Sequence, residues 1–461
     1  MGELSTFKVA TRTTLNAVVI IISISITMVL AQTAHADDSQ ADDLEAKIKE
    51  LNQQLEEVRV AKNTAEQRLA DIEVPSSSDI KLGPVTIGGA MRVNYVHGDY
   101  VKSGDQPQRG GNGGNFELDT FRINASLDYE QIIGKFEYRW YNGYSFLHTG
   151  WLGYDYADGG ELQVGVTRVP FGPGAYGISQ SWFFDQHYYL GLADDMDLGA
   201  KYLITKGNWN LAFAYFLSSE GNWKGASEGS ARYSYDTVKW ASGLAANGDV
   251  STASVNGYEE KNQFNLRAIY QMQDRAIPTD IGVSLQYGEL NGVGAEDGDH
   301  WAASVHMVNS YNNFTLATQV TRYEINIGND NSLGTDELIP MGAYDFAWPV
   351  ATRAWIPAVS LSYKYAATNL SWLDYVLPYI EYSSIVKDED EFNDSEMITM
   401  GAAWAHDSWY IYTDLVRSNG NLFIGNIGDD YSSISDGVGD FGANGNDRWN
   451  TRFNINLGYY F

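Results

Sequence analysis

Hydrophobic and polar residues alternate along most of the chain after Ile80. The final segment, residues 449–461, reads WNTRFNINLGYYF, and its odd-numbered positions are apolar or aromatic except for Thr451. A period of two places successive side chains on opposite faces of a β-strand. Similar alternation predicts about sixteen strands, over residues 85–97, 116–129, 132–142, 147–157, 160–168, 196–205, 208–218, 261–272, 279–289, 298–309, 312–323, 355–366, 375–386, 395–406, 408–417 and 449–461.

Short and long connections alternate between these segments. Those after even-numbered segments are mostly short, whereas those after odd-numbered segments are often long: 98–115, 169–195, 219–260, 324–354 and 418–448. This alternation is typical of an up-and-down antiparallel barrel in an outer membrane, where the sheet must close because every backbone group in lipid needs a partner. A soluble sandwich or propeller also has regular strands.

Aromatic residues near both ends of the apolar faces favour the membrane barrel over the soluble alternatives. Trp209 with Tyr215, and Trp449 with Tyr459, occupy the positions of interfacial girdle residues. We therefore predict an all-β fold over residues 80–461, a sixteen-stranded antiparallel transmembrane β-barrel preceded by a short α-helical coiled coil.

The N-terminus has the layout of a secretory signal peptide. Lys8 and Arg12 precede an apolar run from Leu15 to Leu30, and the small residues at 34 and 36 form a cleavage site. We predict a signal peptide over residues 1–36; the alternative is an uncleaved membrane anchor, for which the run is short.

Residues 42–74 carry a heptad pattern instead of a period of two. Positions a and d hold Leu44, Ile48, Leu51, Leu55 and similar residues for about four heptads, whereas the other positions are mainly charged or Gln. This predicts a self-associating coiled coil within residues 37–79. A single amphipathic helix lying on the barrel is the alternative.

The inward faces of the strands carry charge. If apolar faces meet lipid, the opposite parity lines the lumen. This rule predicts pore-lining basic residues at Arg92, Arg122, Lys135, Arg139, Lys201, Arg267, Lys364 and Arg452. Inward carboxylates are Glu137, Asp155, Glu381 and Asp414, with Asp128 at a strand end. The directions of Arg168, Arg322 and Arg353, at strand ends, stay undetermined because a bulge could reverse them.

The lumen thus leans basic although the chain has a formal net charge of −29. The acidic excess lies in the coiled coil and in loops, most densely at 387–396 and 427–440. Cationic wall residues would attract anions; alternatively, nearby carboxylates neutralise them. An acidic chain is a poor partner for nucleic acid. The acidic loops lack EF-hand spacing and the chain has no cysteine, so we predict no metal site and no cofactor. Solvent exposure, or cations that bridge the acidic loops to lipopolysaccharide, is a simpler explanation of these loops than a dedicated metal site.

The loop at 169–195 is aromatic rather than merely polar. Exposing all of it to water would be unfavourable. We predict that it folds into the lumen and narrows it; packing against a neighbouring subunit is the alternative. The residues assigned to this constriction are Tyr176, Trp182, Phe183, Phe184, Asp185, His187 and Tyr188.

The stretch LQVGVTRVPFG at 162–172, ahead of this loop, resembles the corresponding strand of the phosphate-selective porin family of the O and P type. The resemblance implies a homotrimeric, sixteen-stranded barrel in the outer membrane of a Gram-negative bacterium, surrounded by lipid and lipopolysaccharide. It further implies passive diffusion of small hydrophilic solutes, with phosphate or other small anions preferred, past an inward third loop and a ladder of Arg and Lys. The terminal Phe461 resembles the signal by which such barrels are recognised for insertion. The predicted coiled coil ahead of the barrel is similar to that of some sugar and dicarboxylate porins, which implies that it reaches into the periplasm. The chain departs from the pattern in having only 30 Lys and Arg.

Enzymatic motifs are weak. Asp185 and His187, with Ser179 or Ser181, could form a hydrolytic site, but a hydrogen-bonded loop histidine is the simpler interpretation. The chain has neither HExxH nor G-x-S-x-G. We predict a porin without enzymatic activity. The alternatives are a structural or adhesion protein that links the membrane to a periplasmic partner through the coiled coil, and an outer-membrane hydrolase.

Overall fold

The computed structural model describes residues 80–99, 114–226, 229–244, 250–421, 424 and 449–461. The predicted signal peptide and coiled coil lie outside the described residues, as does the acidic segment 427–440. Within the described ranges, no helix is long and apolar enough to cross a membrane.

The described residues form sixteen long antiparallel strands, numbered here in chain order. Their bounds are β1 Val85–Gly98, β2 Asn115–Tyr129, β3 Ile132–Trp140, β4 Ser145–Asp155, β5 Gly160–Arg168, β6 Met196–Lys206, β7 Trp209–Ser219, β8 Gly257–Met272, β9 Thr279–Val293, β10 Gly298–Tyr311, β11 Phe314–Asn326, β12 Arg353–Tyr363, β13 Tyr375–Lys387, β14 Ser395–His406, β15 Trp409–Asn419 and β16 Trp449–Tyr460.

Each strand pairs with its neighbours in sequence, and β16 pairs with β1, so the sheet closes. At this seam Tyr460 lies opposite Ala90, and the N–H of Phe461 donates to the carbonyl oxygen of Gly89 over 2.9 Å. Two short strands, Ile80–Leu82 and Tyr365–Ala366, extend the sheet at one end of the barrel. The predicted closed sixteen-stranded antiparallel barrel is confirmed.

The strands bury one parity and expose the other. In β15 the Leu415 side chain is 43% exposed, whereas its neighbours Asp414 and Val416 are fully buried. Large apolar residues cover the outside, and polar residues dominate the inside. Aromatic pairs such as Trp409 with Tyr459, 4.9 Å apart between ring centroids, border the apolar outer surface.

Strands β8 and β9, which follow the loop after β7, are longer than the hydrophobic pattern predicts. β8 begins at Gly257, four residues before the predicted start at 261, and pairs with β9 up to Val293 instead of 289. The additional residues include Glu259 and Glu260. The ladder continues because backbone pairing does not require apolar side chains, whereas the apolar alternation ends earlier.

The long loops form sheets of their own. Residues Arg232–Thr237, from the loop after β7, pair with Leu338–Tyr344, and this strand pairs with Phe346–Ala351. Trp240–Leu244 and Val250–Ser254 form a second, two-stranded sheet. The loops after β7 and β11 are thereby joined at the end of the barrel that carries the long loops.

Candidate functional site

The loop at 169–195 lies inside the barrel. The N–H of Gly172 donates to Oγ of Ser284 on β9, and the N–H of Gln186 donates to Oγ of Ser383 on β13, both over 3.0 Å. Both serines belong to the buried, inward parity of their strands. The loop leaves the wall between β5 and β6, so these bonds hold it against the opposite side of the lumen.

Glu381 on β13 provides two further attachments. One of its carboxylate oxygens accepts from Oγ of Ser179 over 2.9 Å, and the other accepts from the N–H of Gln180 over 2.5 Å. Oγ of Ser360, on the neighbouring β12, also donates to this carboxylate over 2.8 Å. The buried acceptor therefore ties the middle of the loop to the wall.

Asp185 and His187 form a third attachment. The Nδ1 atom of His187 lies 3.1 Å from Oδ1 of Asp185, and its Nε2 lies 2.8 Å from Oγ1 of Thr321 on β11. The hydroxyls of Ser179 and Ser181 bond to each other instead. Because Asp185, His187 and Thr321 have almost no solvent contact, we interpret the Asp-His pair as a structural tie between loop and wall.

The aromatic residues of the loop pack on one another and on the joined outer loops. Trp182 and Phe183 have ring centroids 4.2 Å apart. The hydroxyls of Tyr188 and Tyr344 bond to each other, and Tyr188 stacks edge-on against Tyr235. Burial raises the pKa of both bonded tyrosines well above the ordinary value, so their hydroxyls stay protonated. The outer loops therefore cover the inward loop.

Three of the predicted basic residues form a buried charge network on β1, β2 and β3. Nε of Arg92 lies 2.8 Å from a carboxylate oxygen of Asp119. Arg122 and Arg139 both approach Glu137, with nitrogen to oxygen distances of 3.7 and 2.5 Å. Opposite charges compensate the cost of burying each of these groups.

Arg452 and Lys201 contact the inward loop or the strand that leads into it. Arg452 lies over the ring of Phe184, with 5.7 Å to the centroid. Lys201 donates from Nζ to the carbonyl oxygen of Arg168 over 2.8 Å. Arg168 itself, whose direction the alternation left undetermined, contacts Asp194 of the loop over 2.9 Å. These contacts support the two ends and the centre of the loop.

The remaining predicted basic residues are more open to solvent. Lys135 and Arg267 are half-buried on the inward parity of β3 and β8. Lys364 is exposed just after β12, with its Nζ 4.3 Å from the ring centroid of Tyr375.

The lumen is largely filled where the loop crosses it. The side chains of Arg122 and Arg452 are only 2% and 1% exposed. Phe184 of the loop covers Arg452, whereas Tyr460 and Glu137 of the wall lie against Arg122. The alternation predicts Glu381 only as an inward carboxylate, and no local signal in the sequence identifies its loop partners.

Among the comparisons with known proteins, only the search of solved structures bears on the fold. A scan against protein-family models finds no match, and a search of curated proteins finds no significant relative. Among solved structures, in-vitro folded OmpT, an outer membrane protein of Vibrio cholerae, aligns with 84% of this chain and 100% of its own, at 11% identity and a TM-score of 0.50.

Two weaker likenesses are also found. OmpF of Salmonella typhi, in complex with daunomycin, covers 83% of this chain and 100% of its own, at 12% identity and a TM-score of 0.49. An anion-selective porin from Comamonas acidovorans covers 82% and 99%, at 13% identity and a TM-score of 0.45. At identities this low, the alignment with the Vibrio protein shows a common barrel fold and nothing more specific.

Proposed function

We propose that this protein is an outer-membrane porin through which small hydrophilic solutes diffuse passively. The observation that carries the proposal is a closed barrel with an apolar outside, a polar inside and a loop tied across the lumen. A closed barrel satisfies all backbone groups in lipid. An apolar outer surface this extensive is unfavourable in water and matches the hydrocarbon of a bilayer.

Permeation through such a lumen needs neither energy input nor a chemical step. The loop at 169–195 fills much of the cross-section, so the pathway is narrow and selects by size. Its predicted constriction residues, including Trp182, Phe183 and Phe184, would act as a steric barrier. Movement of the loop away from its wall contacts would widen the passage.

A preference for anions is the finer part of the proposal. The inward face of β16 and β1–β3 carries Arg452, Arg92, Arg122, Lys135 and Arg139, against Glu117, Asp119 and Glu137, with Asp128 at one end. The five basic residues exceed the four acidic ones by one charge. A small basic excess in a low-dielectric passage favours anions.

Bilayer electrophysiology tests the proposal. Full-length protein reconstituted in a planar bilayer should produce stepwise conductance. With different KCl concentrations on the two sides, the reversal potential should have the sign that shows chloride to be more permeant than potassium. Discrete steps with cation selectivity would overturn the anion preference alone. A folded barrel that gives no steps would overturn the channel function.

A homotrimer with the coiled coil in the periplasm completes the proposal. Deleting residues 42–74 should weaken the oligomer, measured by light scattering in detergent, without abolishing the folded barrel. A fully stable trimer after this deletion would contradict the role of the coiled coil.

The filled lumen also supports a second candidate, a structural or adhesion protein that links the membrane to a periplasmic partner. Such a protein should give little conductance, whereas a porin with a movable loop should conduct.

A further inference from the structure

Five buried carboxylates lie together near the end of the barrel that carries the long loops. They come from separate segments: the end of the inward loop, the starts of β6 and β8, the end of β7, and the loop strand 232–237. The residues are Asp195, Asp197, Glu220, Asp236 and Glu260.

Three of the five have the spacing of metal ligands. Asp195, Asp197 and Asp236 each offer one carboxylate oxygen, and these oxygens all lie within 4.8 Å of one another. Oxygen ligands at about 2.3–2.6 Å from a Ca²⁺ ion are separated from one another by distances in this range. The side chains are 4%, 1% and 1% exposed, so the cluster is not an ordinary solvated acidic patch.

Several carboxylate oxygens in the cluster have no hydrogen-bond partner among the described residues. These are Oδ1 of Asp195, Oδ1 of Asp197 and Oε2 of Glu220. The other oxygen of Glu220 accepts from the N–H groups of Tyr233 and Ser234 over 3.0 and 2.7 Å, which fixes its side chain. The charge of Glu220 acts on all three aspartates. Buried acceptors without partners are unfavourable, and a cation would satisfy them.

The charge of the cluster is also unbalanced. Arg232 contributes one positive charge beside these carboxylates, and its NH1 donates to Oδ2 of Asp236 over 3.0 Å. Five carboxylates with one guanidinium need either bound protons or a further cation to be stable away from water.

We propose that Asp195, Asp197 and Asp236 bind a Ca²⁺ ion, with Glu220 as a further carboxylate of the site. Ca²⁺ accepts an irregular set of hard oxygen ligands, which suits carboxylates from separate segments. The ion would join the end of the inward loop to the loop strand 232–237. It would thereby stabilise the outer loops over the inward loop, whether or not the barrel conducts.

Binding of Ca²⁺ to the full-length protein in detergent tests this site. The protein is stripped with EGTA at pH 7.5 and titrated with CaCl₂ in a calorimeter, and its thermal unfolding is followed with and without Ca²⁺. We expect about one Ca²⁺ per chain at this site and a higher Tm in Ca²⁺. The variant Asp195→Asn/Asp236→Asn should lose both effects.

The amides of Asp195→Asn/Asp236→Asn match the carboxylates in size but carry no charge, so this variant also tests whether the charges are unfavourable when no metal is bound. In EGTA it should be more stable than the wild type because repulsion among the carboxylates is reduced. Heat modifiability in gel electrophoresis verifies that the barrel has folded, and the single variant Asp236→Asn serves if the double variant does not fold. Absence of Ca²⁺ binding by the wild type, with no change in Tm, would overturn the proposal.

A second acidic cluster provides a matched control. Asp374, His406 and Asp407 also have ligand spacing, but their side chains are partly or largely exposed. The variant Asp374→Asn/Asp407→Asn should retain the Ca²⁺-induced rise in Tm. Loss of that rise in this variant, and its retention in Asp195→Asn/Asp236→Asn, would overturn the assignment.

Discussion

Glu381 offers the sharpest test of whether the inward loop controls permeation. Its carboxylate receives two bonds from the loop, from Ser179 and from the N–H of Gln180, and one from Ser360 of the wall. Replacing Glu381 with Leu keeps a side chain of similar size but removes every acceptor. The change should release the middle of the loop without opening the barrel wall.

The cost follows from the two loop bonds. A fully buried N–H left without an acceptor costs about 1–3 kcal/mol; Gln180 is only partly buried, so its cost lies at the lower end, about 1 kcal/mol. The hydroxyl of Ser179 still has Ser181 as a partner at 2.7 Å, so its loss is smaller, roughly 1 kcal/mol. Together they destabilise the inward loop by about 2 kcal/mol, which is roughly a 30-fold change in the ratio of inward to released loop.

Single-channel recording measures this ratio directly. Glu381→Leu should increase the fraction of time spent in the largest conductance level, and it should make the loop cleavable by added protease. Other attachments remain, including Gly172 with Ser284, so the loop should open transiently rather than permanently. Glu381→Gln, which retains one acceptor oxygen, should have a smaller effect.

Asp414→Asn is the matched control. Asp414 is also a buried carboxylate on the inward parity, but it accepts from the hydroxyl of Tyr379 rather than from the loop. It should change the wall charge without changing loop cleavage. If Glu381→Leu forms a heat-modifiable barrel with wild-type conductance levels and wild-type resistance to protease, the loop attachments do not control the passage.

Three further outcomes are expected. Lys135→Glu combined with Arg267→Glu should shift the reversal potential towards cation selectivity by on the order of 10 mV, and an unchanged potential would contradict their place along the pathway. Gly89→Val should reduce the yield of heat-modifiable barrel. A Cβ at Gly89 would lie 2.6 Å from a backbone oxygen of the adjacent strand and 2.7 Å from the ring of Phe461, and this crowding costs about 1–3 kcal/mol. A yield equal to that of the wild type would show that the backbone at the seam shifts to accept the side chain. The guanidinium of Arg322 lowers the pKa of Asp388, so this pair stabilises the fold above the ordinary carboxyl pKa of about 4 and stops doing so as pH falls through the lowered value. Because the pair is partly exposed, Asp388→Asn should reduce stability at pH 7 by only about 0.5 kcal/mol, with the difference vanishing well below pH 4; a difference that persists there would exclude the ion pair as its cause.

The alternation of apolar and polar residues is sufficient to predict the barrel. Alternation is a local property of each strand. The sheet must also close, because the edge strands of an open sheet would expose unpaired backbone N–H and C=O groups to lipid. Thus β5 at Gly160–Arg168 and β14 at Ser395–His406 have the bounds that the alternation predicts. The bounds are less accurate at β8 and β9, where pairing continues beyond the last apolar positions.

The aromatic composition of 169–195 indicated burial but left two destinations open, the lumen and a neighbouring subunit. The hydrogen bonds to Ser284, Ser383 and Glu381 decide in favour of the lumen within this chain. Such partners lie about 100 to 200 residues away, and a period of two carries no information about them.

Only the tertiary structure could bring the buried carboxylates together. Asp197 is the second residue of one strand, Asp236 lies in a loop sheet and Glu260 is in another strand, so no sequence motif joins them. The alternation also predicted Arg92 and Arg122 on the inside, but not that Asp119 and Glu137 would be their neighbours. The direction of a side chain depends on local backbone geometry. The pairing of charged side chains from different strands depends instead on strand register, on a bulge in β2 and on the path of the loops across the lumen.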